Sequence, residues 1–226
     1  MSAATWNVSV REARMCVERI LLTCGIPSGF VHGVRDCVLL SESLGLGGFA
    51  CLLESHARLD WSRHAAIRVE DHDNGLRVDG GGVHAWLLLP TLVDLAVDLA
   101  RRNGVARVLV ANVESALELR VAAGLAHRYG ARITGESIWT VMNAAPPRNS
   151  ADWDPLLRQA MLKGFDVDGA LWRAVHELSN GALAPDSVAS RRHAGPVVLA
   201  DDGKLLGRIP QDDDFDMNML TKVNRR

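Results

Sequence analysis

The sequence predicts an α/β fold: an N-terminal helical region followed by a mixed β-sheet with a βαβ unit and flanking helices. Three observations predict it. Capped helical patterns fill the first 65 residues, and Asn74-Gly75 sits between two alternating runs. From Val105 onward a strand, a helix and a strand follow one another with glycine at the helix end.

Ser9 and Glu12 have the spacing of a capping box, and Met15, Ile20, Leu21 and Leu22 continue a helix that Gly25 and Pro27 stop. A second helix is expected from Phe30 to Leu44, with Val31, Val34, Val38 and Leu39 on one side. Gly45, Gly47 and Gly48 break it, and Phe49 to His56 resumes a short one. Ile67 and Val69, then Leu76 and Val78, alternate with polar residues around Asp73-Asn74-Gly75, the strongest short-range hairpin pattern. Beyond Asp79-Gly80-Gly81-Gly82, His84 to Asn103 reads as a helix closing at Gly104. Val105 to Ala111 reads as a strand, Glu114 to Tyr129 as a helix closing at Gly130, and Arg132 to Met142 as a strand, which together predict the βαβ unit. Residues 144–152 read as a linker. Asp154 to Lys163 and Asp168 to Asn180 are expected to be helices, and Pro196 to Ala200 an edge strand. One domain over 1–226 is expected, with a helical region 1–65, a sheet region 66–147 and C-terminal helices and tail 148–226.

Composition narrows the function classes. The 226 residues carry 25 Lys and Arg against 27 Asp and Glu, a net charge of -2 that gives no reason to expect nucleic acid or an anionic membrane as partner. The longest apolar run, Val83 to Leu89, is far below the ~20 residues that span a bilayer. The first residues, Met1 to Val8, have no basic cluster ahead of an apolar core, so a cytoplasmic protein is expected. Cys16, Cys24, Cys37 and Cys51 form no Cys-x-x-Cys pair and are expected as small core residues.

Several motifs have chemical and purely structural readings. Gly80, Gly81 and Gly82, between a strand and a helix, offer backbone N–H groups to a cofactor phosphate or a carboxylate, or simply a permissive turn. His84 either donates to an anion or caps the helix. Glu114 and Ser115 lie between a strand end and a helix, the edge where α/β sheets bind ligands; Glu114 is a candidate general base or an acidic first-turn residue. Ser190 and Arg191, in a Gly- and Pro-bounded loop beside Arg192, are candidates to grip a carboxylate. His56, His64 and the Asp71-His72-Asp73 triplet lack the helical spacing of metal ligands. Asp212, Asp214, Asp216 and Asn218 open like a calcium loop, but Met217 and Val223 replace its glycine and glutamate, and no metal is expected. Gly135 to Trp139 lacks the last glycine of a nucleophile elbow.

The order of these pieces resembles the malate/L-lactate dehydrogenase family that includes sulfolactate and ketimine reductases. Asp71-His-Asp-Asn-Gly-Leu-Arg-Val-Asp-Gly80, Leu99 to Ala106, Val108 to Asn112 and Met142-Asn-Ala-Ala-Pro-Pro147 carry the resemblance, across residues 8 to 147. Trp172 to Asp202 resembles a shorter bacterial family of about this size. The family's two acid/base histidines fall here on Gly47-Gly-Phe-Ala50 and on Asn112 to Ala116, where no histidine stands. The resemblance implies a homodimer acting on a small carboxylate metabolite, a 2-oxo acid or cyclic imine, with NAD(P) as possible cofactor. Glu114, Ser115 and His84 would be catalytic, Arg191, Ser190 and Asn143 would bind substrate, and Gly80, Gly81 and Gly82 would bind cofactor. The missing histidines leave a catalytically silent binding or partner subunit, or a non-redox enzyme on the same scaffold, as the alternative.

Overall fold

The structure, a computed structural model, describes residues 4–72, 75–143, 155–183, 197–199 and 205–208. The chain divides into two compact units at Ala182/Leu183. Helix α1 (Val10–Thr23) starts on Ser9, whose Oγ accepts the Glu12 N–H at 3.1 Å; such a cap is worth ~1 kcal/mol. It buries Ala13, Cys16, Val17 and Ile20 against α2 (Ser28–Ser43), which contributes Val34, Cys37 and Val38. Cys16 and Cys37 are core residues, whereas Cys24 and Cys51 are only partly buried; all four thiols are free. Helix α3 (Gly48–Ser55) enters so close to α2 that a Cβ on Gly48 would lie 2.2 Å from the Val38 carbonyl oxygen. Only glycine fits there.

A five-stranded mixed sheet follows, built from β2 (Arg68–His72), β3 (Gly75–Asp79), β4 (Val105–Ala111), β5 (Ala131–Thr134) and β6 (Ile138–Asn143) in the order β2-β3-β4-β6-β5. The expected β2–β3 hairpin forms, with Val69 opposite Val78. The βαβ unit lies one element earlier than expected. β3 and β4 are the parallel pair, joined by α4 (Ala85–Asn103), while β4 and β6 run antiparallel. Arg132 to Met142 is two strands rather than one, because Gly135 (φ 99°) turns so tightly that a Cβ would meet the Ile138 oxygen at 2.0 Å. The helix expected from Glu114 to Tyr129 is a 3-10 turn (Ala116–Val121) followed by the short α5 (Ala122–His127).

Alternate residues of β3, β4 and β6 (Leu76 and Val78; Ala106, Val108 and Val110; Trp139 and Val141) are buried, on the face that α4 covers with Trp86, Leu89, Val93 and Val97. The opposite face presents Arg77, Val105, Arg107, Ile138 and Met142 to solvent. Leu109 pairs with Ile138 and Val105 with Met142, two apolar pairs on that face separated by the Arg107–Thr140 pair. The chain then returns to its start. β1 (Thr5–Val8), a strand the sequence did not predict, pairs antiparallel with β7 (Phe165–Asp168). It is held by Asn7 Nδ2, which donates to the Lys163 carbonyl at 2.8 Å and to Asp166 Oδ1 at 2.9 Å. Helices α6 (Pro155–Lys163) and α7 (Gly169–Ser179) flank β7, and Trp172 packs edge-on against Phe49 at 5.4 Å. Trp86, Trp139 and Trp172 are therefore buried within one protomer; Trp153 lies outside the described residues. In the second unit, β8 (Val197–Leu199) and β9 (Leu205–Arg208) pair antiparallel. No described helix is long and apolar enough to cross a membrane.

Candidate functional site

Parallel strands β3 and β4 end side by side at Asp79 and Ala111. The two loops that leave them knit together. Asp79 Oδ1 accepts from the Gly81 N–H and from Asn112 Nδ2, both at 2.8 Å. These donors hold its carboxyl below the usual carboxylate range. The Gly80 N–H reaches the Ala111 oxygen at 2.9 Å, the Gly82 N–H the Asn112 oxygen at 2.8 Å, and the Val83 N–H the Gly80 oxygen at 3.1 Å. Glu114 N–H donates to Val83 and Ala85 N–H to Glu114, which extends the parallel pairing by a bridge at His84 and Glu114.

That knitting has a chemical consequence. All three glycine amides are engaged within the protein, so the phosphate cradle expected at Gly80, Gly81 and Gly82 has no free backbone donor. These residues do not fit the pyrophosphate of a nicotinamide cofactor in this arrangement. Their glycine identity has another cause: a Cβ on Gly80 would lie 2.6 Å from Val113 Cγ2, and one on Gly81 (φ 60°) 2.6 Å from the Ala66 Cβ.

His84 is 1% exposed and caps α4, its Nδ1 accepting the Trp86 N–H at 3.3 Å. With Nδ1 an acceptor, the ring proton belongs on Nε2, which faces Cys51 Sγ at 3.8 Å. Burial pushes the imidazole down to about 4 against the pull of Glu114. It is a neutral helix cap rather than an anion donor. Beneath it, Trp86 Nε1 donates to Glu118 Oε2 at 2.8 Å, and burial raises that carboxyl. Burial likewise raises the Cys51 thiol, so the Cys51–His84 pair is not an activated nucleophile.

A cleft of about 400 Å³ opens at this edge, lined by Gly82, Ala111, Asn112, Glu114, Leu119 and Ser137 among others. Asn112 (φ 52°) and Ser115 (φ 55°) both hold left-handed backbone, the conformation that clusters at ligand sites. Glu114 Oε1 accepts from Arg58 Nε at 2.5 Å, and the half-exposed Arg58 also donates to the Glu54 carbonyl. The Arg63 guanidinium lies 3.0 Å from where a Cβ on Gly82 would stand.

Structure thus brings together Gly80, Gly81, Gly82, His84, Glu114 and Ser115. Asn143 lies at the opposite end of the sheet, beside the start of β4, where its Nδ2 donates to the Ala100 carbonyl at 3.1 Å. Six residue steps of β4, about 20 Å, separate it from the cleft. It does not line the cleft. Ser190 and Arg191, and the aspartates from Asp212 to Asp216, lie outside the described residues. No group of three or more His, Cys, Asp or Glu among the described residues is placed to hold a metal ion. Ser137 lines the cleft, and Arg58 and Arg63 stand beside its lining residues Glu114 and Gly82; the sequence did not single them out for binding, because each comes from an element distant in sequence.

No family model matches the sequence, and no curated protein matches it. Among solved structures, the malate dehydrogenase of Entamoeba histolytica is similar at a TM-score of 0.41 and 18% identity, over 57% of this chain. The chain spans 38% of that structure's length. The malate dehydrogenase of Pyrococcus horikoshii is similar at a TM-score of 0.41 and 11% identity, over 99% of this chain and 92% of the other. These likenesses are weak and carry nothing about chemistry.

Proposed function

We propose that the chain binds a small carboxylate, of the 2-oxo acid or cyclic imine type, in the cleft at the ends of β3 and β4. The supporting observation is Arg63. Its guanidinium stands over Gly82 with neither a hydrogen bond nor an ion pair among the described residues. A guanidinium beside a polar cleft recognises a carboxylate by charge-assisted hydrogen bonds. Asn112 and Ser137 add neutral donors at the rim.

Reduction of a carbonyl or imine needs a proton donor at the reacting atom. His84 is turned inward and neutral, so a binding or partner subunit fits this geometry better than a reductase. One observation favours an enzyme: Glu114 lines the cleft, a carboxylate placed to act as a general base once a substrate displaces its half-exposed partner Arg58. Titration calorimetry with a panel of 2-oxo and 2-hydroxy acids, with and without NADH, tests the reading. Arg63→Ala should weaken the best ligand by about 10-fold or more, the loss of one charged hydrogen bond, with the melting temperature unchanged. Unaltered affinity would remove Arg63 from the site.

Homodimerisation belongs to the same proposal, on new grounds. The buried tryptophans no longer argue for it. Among the described residues Val105, Ile138 and Met142 are exposed on one sheet face, Ile138 by 64%, and interfaces between identical chains are the more apolar kind. A second copy would cover that face.

A further inference from the structure

We propose that a groove between α1 and α6 is a second binding site, for a free monocarboxylate with an apolar tail. The hollow measures about 460 Å³ and shares no residue with the cleft at β3 and β4. Arg11, Arg14, Met15 and Glu18 line it from α1, and Met161 from α6. Arg11 and Arg14 are three apart, which puts both guanidinium groups on one helical face.

Neither arginine makes an ion pair among the described residues, and Arg14 Nε is buried without a hydrogen-bond partner. An orphaned buried donor in the wall of a hollow is uncommon in folded proteins and needs a cause. The carboxylate in the groove does not supply one. Glu18 Oε1 is already engaged by Arg35 Nη1 and by His32 Nδ1. Glu12, the neighbouring acid, accepts from Trp172 Nε1 at 3.3 Å. The groove therefore carries uncompensated positive charge.

Methionines from both helices supply its apolar surface. Met161 is 61% exposed and Met15 is 40% exposed, an unusual outlay of flexible thioether surface on a solvated helix pair. The Arg11 and Arg14 guanidinium groups would hold the carboxylate by charge-assisted hydrogen bonds, and its tail would cover both methionines. An inorganic anion would satisfy the charge and leave the methionines bare.

Titration calorimetry of the whole chain with octanoate, acetate and inorganic phosphate tests this. Octanoate should bind, with acetate and phosphate at least about 10-fold weaker, and Arg14→Ala should weaken octanoate by about 10-fold or more. Met161→Ser should weaken octanoate and leave acetate unchanged. If Arg14→Ala melts early, the exposed Arg11→Ala carries the same comparison. Equal octanoate affinity in wild type and both arginine variants overturns the site. Phosphate as tight as octanoate overturns the apolar half of it. Arg14-dependent binding to phosphatidylglycerol vesicles, without binding of free octanoate, would assign the groove to a membrane surface instead. Retained octanoate binding in Arg63→Ala separates this site from the cleft.

Discussion

Buried and neutral, His84 makes the stability of this protein depend on pH. Its folded-state value of about 4 lies below the ordinary histidine value near 6.5. The unfolded chain therefore takes up a proton first as pH falls. The contribution is complete above about pH 6.5 and erodes by up to ~1.4 kcal/mol per pH unit until about pH 4. Glu118, whose carboxyl is raised, acts in the opposite sense and favours the fold as pH falls. His84→Asn keeps a side-chain oxygen for the Trp86 N–H and removes the titration. Urea denaturation at about pH 7.5 and about pH 5 should show the wild type losing ~2 kcal/mol more than the variant. Identical losses would mean that the imidazole is not buried in solution. The sequence allowed for this cap, since a lone histidine ahead of an apolar helix has few other uses. It gave no hint of Arg63, whose placement depends on a 3-10 turn (Trp61–Ala66) packing beside Gly81 and Gly82.

Elements held together by neighbours in sequence were legible; those joined across the chain were not. Ser9 capping α1 and the alternating runs of β2 and β3 are local patterns, and both formed where expected. β1 has one buried residue in four, and its partner β7 lies some 160 residues away, so no periodicity marks it. The sequence places the βαβ unit one element too late, because an apolar run like Val105 to Ala111 carries no record of which neighbour it pairs with. Glycines make a finer test. Gly25 (φ 73°), which ends α1, has open space around its missing Cβ, whereas Gly81 (φ 60°) has Ala66 within 2.8 Å on three atoms. Gly25→Ala should cost ~1–2 kcal/mol of left-handed strain alone. Gly81→Ala should cost more, because the loop between β3 and α4 must also move, and its urea midpoint should fall further. Equal costs would show that the Ala66 segment yields freely.

At the scale of the molecule, one sheet face is packed and the other is open among the described residues. If a second copy covers the open face, light scattering should report about twice the 24.5 kDa of one chain, and Ile138→Asp should return the mass to that of one chain without a large loss of stability. A mass of 24.5 kDa that does not change with concentration would rule the dimer out. The pairing of β1 with β7 reaches further still, into how the protein is made. Asn7 is bonded to Lys163, 156 residues later, and α1 packs on α7. A ribosome adding ~5–20 residues per second needs roughly 8–30 s to deliver that stretch. Through this interval the helical N-terminal layer is outside the exit tunnel, without the strand and helix that finish it. Residues Val8, Cys16, Val17 and Ile20, all sealed in the finished protein, then present an unfinished apolar surface to chaperones. Synthesis, rather than the finished fold, is where this architecture is exposed to aggregation.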